Sequence, residues 1–295
     1  MKVAVFLHDE ELESLPSDVD RNAIVSATSA TYVIHQDVEY RYTKPVRDLR
    51  QRLVILPRRV RGDQRRLAQR FEVRAGTATD NTVQWRTDRF GNSVFHVAAP
   101  EVRRTIEFRA RAVLTRDVRS AMSAPWHEPR PTATQLTTPD EAIRDAAAAL
   151  RTGADVPTTA DVIAEHVNSS IEYRHDATSV RTTAAGAWQQ RAGVCQDMAH
   201  VMIAMCSSLG IAARYVSGHL VGDGASHAWV EVFDPRHDAV IAIDPTHSRR
   251  TDLRYVTTAA GRDYRDVAPT AGSYFSNGGQ GSLVVRKRIR VADLA

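Results

Sequence analysis

The sequence predicts an α+β protein in which an antiparallel β-sandwich precedes a domain of helices and strands. Three observations support this fold class. Short alternating apolar runs fill residues 29–122 without a helical stretch between them, and a run rich in proline and threonine follows at 123–139. Beyond it, helical spacing comes first and strand spacing second, an order typical of α+β domains.

Composition places the chain among ordinary globular proteins. Of its 295 residues, 43% are hydrophobic and 25% are charged, which excludes collagen-like, coiled-coil and wholly disordered chains. The net charge is +4, and only three of the 39 basic residues are lysine, so contacts with anions would be forked arginine contacts. No apolar run reaches the roughly 18 residues of a membrane span. With two cysteines and no recognisable export signal, we expect a cytoplasmic protein without a membrane partner.

The first domain is predicted strand by strand. Residues 1–28 are acidic and polar without a sustained period, so we expect a loosely attached extension. Period-two alternation then predicts strands at 32–40, 52–56, 69–73, 82–85, 93–97 and 104–110. Pro125, Pro129, Pro131 and Pro139 exclude regular structure from 123–139, which we interpret as a linker.

The second domain is assigned to residues 140–295. An alanine-rich run to Leu150 and a second run to Ile171 predict two helices, and a third begins near Cys195. The strands predicted after these helices are 211–219, 227–233, 239–244 and 283–291.

Cys195 is the first candidate for chemistry because it opens a buried helix. Apolar residues recur at helical spacing from Met198 to Leu209, and Gly210 follows as a stop signal. Unpaired amides and the helix dipole at a first turn favour the thiolate, which is the nucleophilic form. A cysteine without catalytic partner residues is better interpreted as a small apolar core residue. This interpretation applies to Cys206.

Partners for Cys195 follow on a predicted hairpin. His227 opens one strand, Asp244 ends the next, and the connector between them has turn composition. A turn centred between Pro235 and Arg236 makes His227 and Asp244 direct cross-strand neighbours, with Cβ atoms about 5 Å apart. Asp244 would then orient the imidazole while the other ring nitrogen meets Cys195. A slip of one residue would put the two side chains on opposite faces.

Several segments together resemble the bacterial members of the transglutaminase-like superfamily. They are Gly193-Val194-Cys195-Gln196-Asp197-Met198-Ala199-His200, Leu209 to Gly218, Ser226 to Val232, Asp244-Pro245-Thr246, Gly261 to Pro269 and the strands from Thr31 onwards. The resemblance leaves only residues 1–28 uncovered. It implies a papain-like fold in which Cys195 is the nucleophile, His227 the base and Asp244 the orienting acid. One departure is Ala213, where proline would be usual.

An oxyanion hole requires N–H donors beside the nucleophile. The Cys195 amide at the helix start is the natural first donor. Trp188, Gln189 and Gln190 precede it closely in sequence and are the candidates for the second, although a glutamine on a helix is more often merely solvated. The side chains expected to support the triad are Gln196, Asp197 and Trp229. Asp197 also suits the helix dipole, so its role as a helix-start carboxylate is favoured.

Metal and cofactor sites are not predicted. Both cysteines and several histidines lie in one region, but the chain has neither the paired cysteine spacing of zinc sites nor an EF-hand loop. His200 is interpreted as a packing residue of the helix.

An arginine-rich stretch runs from Arg41 to Arg74, with twelve basic and three acidic residues. Such density can bind nucleic acid or an acidic partner. The arginines alternate with apolar residues and no aromatic-rich stacking signature accompanies them, so we expect a solvated sheet face and no nucleic-acid partner.

The function expected is that of a cysteine-dependent amide or peptide hydrolase or acyl transferase that acts on a peptide or protein amide through a thioacyl-enzyme. The alternative is a catalytically silent module that binds protein or nucleic acid through the arginine-rich domain. The sequence leaves open the physiological substrate, hydrolysis against transamidation, and the oligomeric state.

Overall fold

The computed structural model of the protein describes residues 21–75, 81–120, 126, 133–151, 153, 155–222 and 226–295. Most of the predicted linker 123–139, and residues 1–20 of the predicted extension, lie outside these ranges. Within them, a two-sheet antiparallel sandwich is followed by a domain of helices and one further sheet. The predicted α+β class, with its N-terminal sandwich, is confirmed.

The sandwich contains strands from both ends of the chain. They are β1 (Ser29–Tyr42), β2 (Val46–Leu56), β3 (Val60–Arg61), β4 (Gln64–Ala75), β5 (Thr82–Thr87), β6 (Ser93–Val102), β7 (Thr105–Asp117), β15 (Thr270–Ser276) and β16 (Gly281–Leu294). Sheet A has the order β16-β1-β7-β4-β3, and sheet B has the order β15-β2-β6-β5. Alternation explains the packing: along most of β7 every second residue is buried in the sandwich core, as Ile106, Phe108 and Ala110 are.

The second domain is built around one buried helix. Its elements are α2 (Glu141–Ala149), α3 (Val156–Ser170), β8 (Glu172–Tyr173), α4 (Ala184–Gln190), β9 (Ala192–Gly193), α5 (Cys195–Ser208), β10 (Ala213–Leu220), β11 (Ser226–Asp234), β12 (Ala239–Asp244), β13 (Arg249–Arg250), β14 (Tyr255–Gly261) and α6 (Tyr264–Val267). Sheet C has the order β13-β12-β11-β10-β14. β8 and β9 form a short parallel pair, and α4 is a helix that the sequence did not predict.

Helix α5 is held by apolar packing on several sides. Its residues from Met198 to Cys206 share a core with α2, α3, α4 and the inner face of sheet C. A fully buried side chain such as Met198 or Met202 contributes about 1.5–3 kcal/mol. The helix that begins at Cys195 is therefore a rigid base for any chemistry at its first turn.

Both ends of the sandwich differ from the predicted domain bounds. Helix α1 (Arg21–Ser26) falls within the predicted extension 1–28, yet Ile24 is fully buried in the sandwich core. β15 pairs with β2 and β16 pairs with β1, so residues 270–294 return to the sandwich. The assignment of 140–295 to one domain is wrong at this end, because strand pairing between distant segments leaves no local sequence signal.

The two domains share a buried charged contact. Arg61 lies at the end of β3 and donates to Glu231 of β11 at 2.5 Å, and Arg214 of β10 donates to the same oxygen at 2.6 Å. Arg61 is only 5% exposed. The prediction that the arginines between Arg41 and Arg74 lie on a solvated face is wrong for Arg61, which has a carboxylate to pair with in the other domain.

No helix in the described ranges is long and apolar enough to cross a membrane.

Candidate active site

Cys195 is the first residue of α5 and is half-buried. The helix start is held by Asp197, whose carboxylate Oδ2 accepts from the Val194 amide at 2.9 Å and from the Thr178 hydroxyl at 2.6 Å. Gly193 allows this cap, since a Cβ there would lie 2.8 Å from the Cβ of Asp197. Burial raises the pKa of Asp197, although both hydrogen bonds act in the opposite direction. The predicted helix-start position of Asp197 is what the structure shows.

His227 and Asp244 meet on the hairpin of β11 and β12, but in a different register from the one predicted. Val230 pairs with Ile243, and residues 235–238 form the turn, so its centre lies one residue later than expected. Asp244 therefore stands level with Trp229, diagonal to His227. A shift of two residues in the pairing keeps both side chains on one face. The His227 Nε2 to Asp244 Oδ2 distance is 2.7 Å.

The Asp244 carboxylate is completely buried and fully partnered. Its Oδ2 atom contacts His227 Nε2 at 2.7 Å, His247 Nδ1 at 2.6 Å and the Tyr255 hydroxyl at 2.7 Å. Its Oδ1 atom accepts from the Thr246 amide at 2.9 Å. Burial alone would raise the pKa of Asp244, but these hydrogen bonds and the positive His227 ring outweigh it and hold that pKa well below its ordinary value.

The second nitrogen of the His227 ring is left for Cys195. Asp244 occupies Nε2, so Nδ1 is the ring nitrogen available to the thiol. Burial disfavours the charged ring, but the hydrogen bonds and negative charges of Asp244 and Cys195 outweigh it and raise the pKa of His227 to about 9. The site therefore has a thiol on one side of an imidazole that stays protonated at neutral pH, and a carboxylate on the other side of that ring.

Aromatic rings enclose the His227 imidazole. Trp229 stacks near it, with ring centroids 6.3 Å apart, and Tyr255 lies at 6.0 Å. Trp229 is 1% exposed and packs edge-on against Tyr255. Gly218 lies opposite His227 on β10, and a Cβ there would approach Trp229 to 2.6 Å and the Val256 carbonyl to 2.1 Å. Trp229 thus lies beside the His227 ring, and its role in supporting the triad stays a prediction.

The candidates for the second oxyanion donor lie at the end of α4. Gln189 and Gln190 are exposed at the end of α4. Trp188 is buried between His166, at 5.6 Å, and the Arg191 guanidinium, at 3.7 Å. Among the hydrogen bonds and ring contacts given for the described residues, none joins these three residues to Cys195, and their oxyanion role stays a prediction. Gln196, 8% exposed, lies on the first turn beside Cys195.

Two other titratable residues of α5 serve its packing. His200 is fully buried, and its Nε2 atom accepts from the Tyr264 amide at 3.2 Å. Burial lowers the pKa of His200 to about 4, which keeps the ring neutral. Burial raises the pKa of the Cys206 thiol to about 12. Neither residue can exchange a proton near neutral pH.

His247, Tyr255 and Arg249 were not identified from the sequence as site residues. The Arg249 guanidinium donates to the Tyr255 hydroxyl at 2.8 Å, and that hydroxyl in turn donates to Asp244. His247 follows Asp244 by three residues in a turn that the Asp244 carboxylate closes through Thr246, a local pattern that could have indicated the contact. Tyr255 reaches Asp244 across sheet C and has no comparable local signal.

One group in the described ranges has the composition of a metal site. His227, Asp244 and His247 offer ligand atoms that lie within 4.8 Å of one another. Both rings already hydrogen-bond to Asp244 Oδ2, so the three side chains satisfy each other without an ion.

Comparison with known proteins identifies the family. The model of the transglutaminase-like superfamily matches residues 144–245, and the model of the bacterial transglutaminase-like N-terminal region matches residues 32–115. An uncharacterized protein of Mycobacterium tuberculosis is 30% identical over 302 residues, which cover 89% of this chain and 93% of that protein. Another from Mycobacterium leprae is 35% identical over 139 residues, covering 44% and 49% of the two chains.

A solved structure shows the same fold. It is that of a candidate cysteine protease from Cytophaga hutchinsonii, with a TM-score of 0.72, 22% identity, and coverage of 90% of this chain and 92% of that one. The chain belongs to the transglutaminase-like superfamily and carries the N-terminal region of its bacterial members.

Proposed function

We propose that the protein is a cysteine-dependent enzyme that hydrolyses or transfers the acyl group of a peptide or protein amide through a thioacyl-enzyme. The observation that carries this proposal is the arrangement at the start of a buried helix, where His227 is hydrogen-bonded to the buried Asp244 and interacts with Cys195, the first residue of that helix. Family membership supports the same class of chemistry.

The first half of the reaction forms the thioacyl-enzyme. The Cys195 thiolate attacks the carbonyl carbon, and the oxygen of the tetrahedral intermediate is stabilised by the free amide of Cys195 at the helix start. The His227 imidazolium gives its Nδ1 proton to the departing nitrogen, the carbon–nitrogen bond breaks, and an amine leaves. The raised pKa of His227 keeps this proton available at neutral pH.

The second half regenerates the enzyme. His227, now neutral, takes a proton from water or from a second amine, which attacks the thioester carbonyl. The carbon–sulfur bond breaks, and Cys195 leaves as the thiolate beside the recharged ring. Water gives hydrolysis and an amine gives transamidation, and the same three residues serve both.

Cys195→Ala tests the nucleophile. We expect no turnover and an intact fold, because one small side chain replaces another at a half-buried helix start. The assay is mass spectrometry of the protein after incubation with a library of peptides and amides, in which the native chain gains an acyl group at Cys195.

Cys206→Ala is the control for that experiment. It removes the other thiol, which is fully buried in the core of α5, and should keep activity while losing about 1 kcal/mol of stability. Turnover retained in Cys195→Ala would rule out the proposed nucleophile. The silent-module alternative is tested by iodoacetamide, since alkylation of Cys195 only above about pH 8 is the behaviour of an ordinary thiol.

A further inference from the structure

A strand that the sandwich holds in place supplies one of the donors to Asp244. Tyr255 is the first residue of β14, is 1% exposed, and donates its hydroxyl to Asp244 Oδ2 at 2.7 Å. The Arg249 guanidinium donates to the same hydroxyl, so the phenol is fixed from both sides. The position of this hydroxyl depends on where β14 begins.

The backbone of Tyr255 is bound by an arginine of the sandwich. Arg116 of β7 donates from Nη1 to the carbonyl oxygens of Asp252 and Tyr255, at 2.6 and 2.5 Å. Its other nitrogens contact the Asp63 carboxylate, which lies between β3 and β4, with the shortest distance 2.7 Å. An ion pair within the sandwich thus aims a guanidinium at the turn that precedes β14.

Two more sandwich residues bind the same short segment. The Tyr32 hydroxyl of β1 donates to the carbonyl of Leu253, whose side chain lies in the sandwich core. The Gln64 amide of β4 exchanges two hydrogen bonds with the backbone of Thr257, at 2.8 and 3.0 Å. Residues 252–257 are therefore held by the sandwich on both sides of Tyr255.

We infer that the β-sandwich is a working part of the active site, in which Arg116 acts through Tyr255 to orient the carboxylate of Asp244. Arg116 and Tyr255 are positioning residues in this scheme, and neither touches the substrate. The inference rests on the proposed function, because it assigns a role in the triad of Cys195, His227 and Asp244.

This arrangement predicts the direction in which the pKa of His227 changes when the Tyr255 hydroxyl is removed. Asp244 faces His227, His247 and Tyr255, and Tyr255 faces Arg249. Loss of the Tyr255 hydroxyl leaves more of the Asp244 negative charge for His227, so the ring should hold its proton to higher pH. One hydrogen bond to a charged group corresponds to about one to two pH units at the carboxylate itself, and because the hydroxyl acts on His227 only through Asp244, we expect a part of this, about half a unit, at the ring.

The experiment uses the full chain and iodoacetamide, because the reagent reports the state of the pair formed by Cys195 and His227 without a known substrate. The alkylation rate of Cys195 is measured from acid to alkaline pH by mass spectrometry. Its alkaline inflection marks loss of the His227 proton. We expect Tyr255→Phe and Arg116→Met each to raise this inflection by about half a unit. The double variant should shift it no further than Tyr255→Phe alone, because residues that act as one unit are not additive.

Arg111→Met is the matched control. Arg111 lies on the same strand as Arg116, pairs with Asp37 at 2.6 Å, and its side chain is 13% exposed against 14% for Arg116. The partners described for Arg111, which are Asp37 and the carbonyl of Ala110, belong to the sandwich. Both variants lose a half-buried ion pair and should lower the melting temperature, but only Arg116→Met should move the inflection.

Two results would overturn the inference. One is an inflection in Tyr255→Phe that stays at the native pH, and the other is an Arg116→Met variant that behaves as Arg111→Met does. If Arg116→Met does not fold, Gln64→Leu loosens the same segment and takes its place, with the same shift expected. Failure of the proposed function is distinguishable, because native Cys195 would then alkylate as an ordinary thiol with no dependence on His227.

Discussion

Two buried carboxylates of sheet C concentrate their partners on a single oxygen, yet they have different partners. Glu231 Oε2 accepts from the guanidinium groups of Arg61 and Arg214. Asp244 Oδ2 faces two imidazoles and a phenol, those of His227, His247 and Tyr255. Both side chains are nearly or completely inaccessible. The contrast lies in the donors, because arginine keeps its charge at any ordinary pH and imidazole does not.

The difference in donors separates a contact that joins the two domains from the contact proposed to be catalytic. Burial would raise the pKa of Glu231, but Arg214 and Arg61 outweigh it and lower that pKa to about 2, so this cluster stays fully charged. It joins the two domains and has no proton to exchange. The Asp244 cluster has equal burial but a ring whose pKa, about 9, lets it lose and regain a proton. Burial of a charge is therefore common to both clusters, and the titratable ring distinguishes the proposed active site from the contact between the domains.

Removing the Asp244 charge should have the largest effect on activity. In Asp244→Asn the size is kept, but the ring of His227 loses its charge partner and its preferred orientation. We expect turnover to fall by a factor on the order of 10³ to 10⁴. The measurement is the rate of acyl transfer by the variant. His227→Ala with Asp244→Asn should be scarcely worse than His227→Ala alone, and independent multiplying losses would mean that Asp244 serves only the fold.

Removing the Glu231 charge should instead cause the largest decrease in the free energy of unfolding. Glu231→Gln leaves two buried guanidinium groups without a charge partner, which costs about 3–5 kcal/mol. Urea unfolding measures this free energy. Activity per folded molecule should change little, and a loss as large as that of Asp244→Asn would contradict the separation between the two clusters.

The two clusters should contribute to the pH dependence of stability at opposite ends of the pH range, His227 at alkaline pH and Glu231 at acid pH. His227 has a folded pKa of about 9 against 6.5, so its contribution is complete below about pH 6.5 and is lost as the pH rises through 9. Glu231 has a folded pKa of about 2 against 4.5, so its contribution is present above pH 4.5 and is lost as the pH falls towards 2. Urea unfolding at a series of pH values should show the alkaline loss shrink in His227→Ala and the acid loss shrink in Glu231→Gln, where the lowered pKa of Asp244 still leaves part of the acid loss.

The exposed arginines should have the smallest effect. Arg47, Arg50 and Arg59 are exposed, unlike Arg61. Replacing all three by serine should change the free energy of unfolding by no more than about 0.5 kcal/mol per site. We also expect no binding of single-stranded or duplex nucleic acid at about 150 mM salt. Binding that persists at that salt and disappears in the triple variant would show a nucleic-acid site.

Much of the fold follows from local sequence patterns. Period-two alternation predicted six strands of the sandwich, although the strands are longer than the apolar runs, as β1 and β7 show. It did not predict β3 or β15, and it placed β16 in the other domain. Helical spacing predicted α5, whose first residue is Cys195. The four-residue turn 235–238 was misplaced by one residue, because turn composition gives the position of a connector more reliably than its centre.

Contacts between distant segments could not be predicted from the sequence. Arg61 has the composition of a surface arginine, and only the fold brings Glu231 to it. Tyr255 meets Asp244 from another strand, so neither periodicity nor a motif indicates the hydrogen bond. The cytoplasmic location and the roles of Trp188, Gln189 and Gln190 stay predictions.

The pairing of β16 with β1 has a consequence for the order in which the molecule can assemble during synthesis. The register runs from Ala30 opposite Leu294 to Tyr42 opposite Gly281. The helices and sheet C of the second domain are therefore inserted in the chain between strands of one sandwich. A ribosome must therefore finish the whole insert before β16, the second neighbour of β1 beside β7, exists. Until then β1 has an open edge, which is the kind of surface that pairs with other chains. Pairing of two strands that are so far apart in the chain is intrinsically slow. The inserted second domain therefore has time to fold before β16 completes the sandwich.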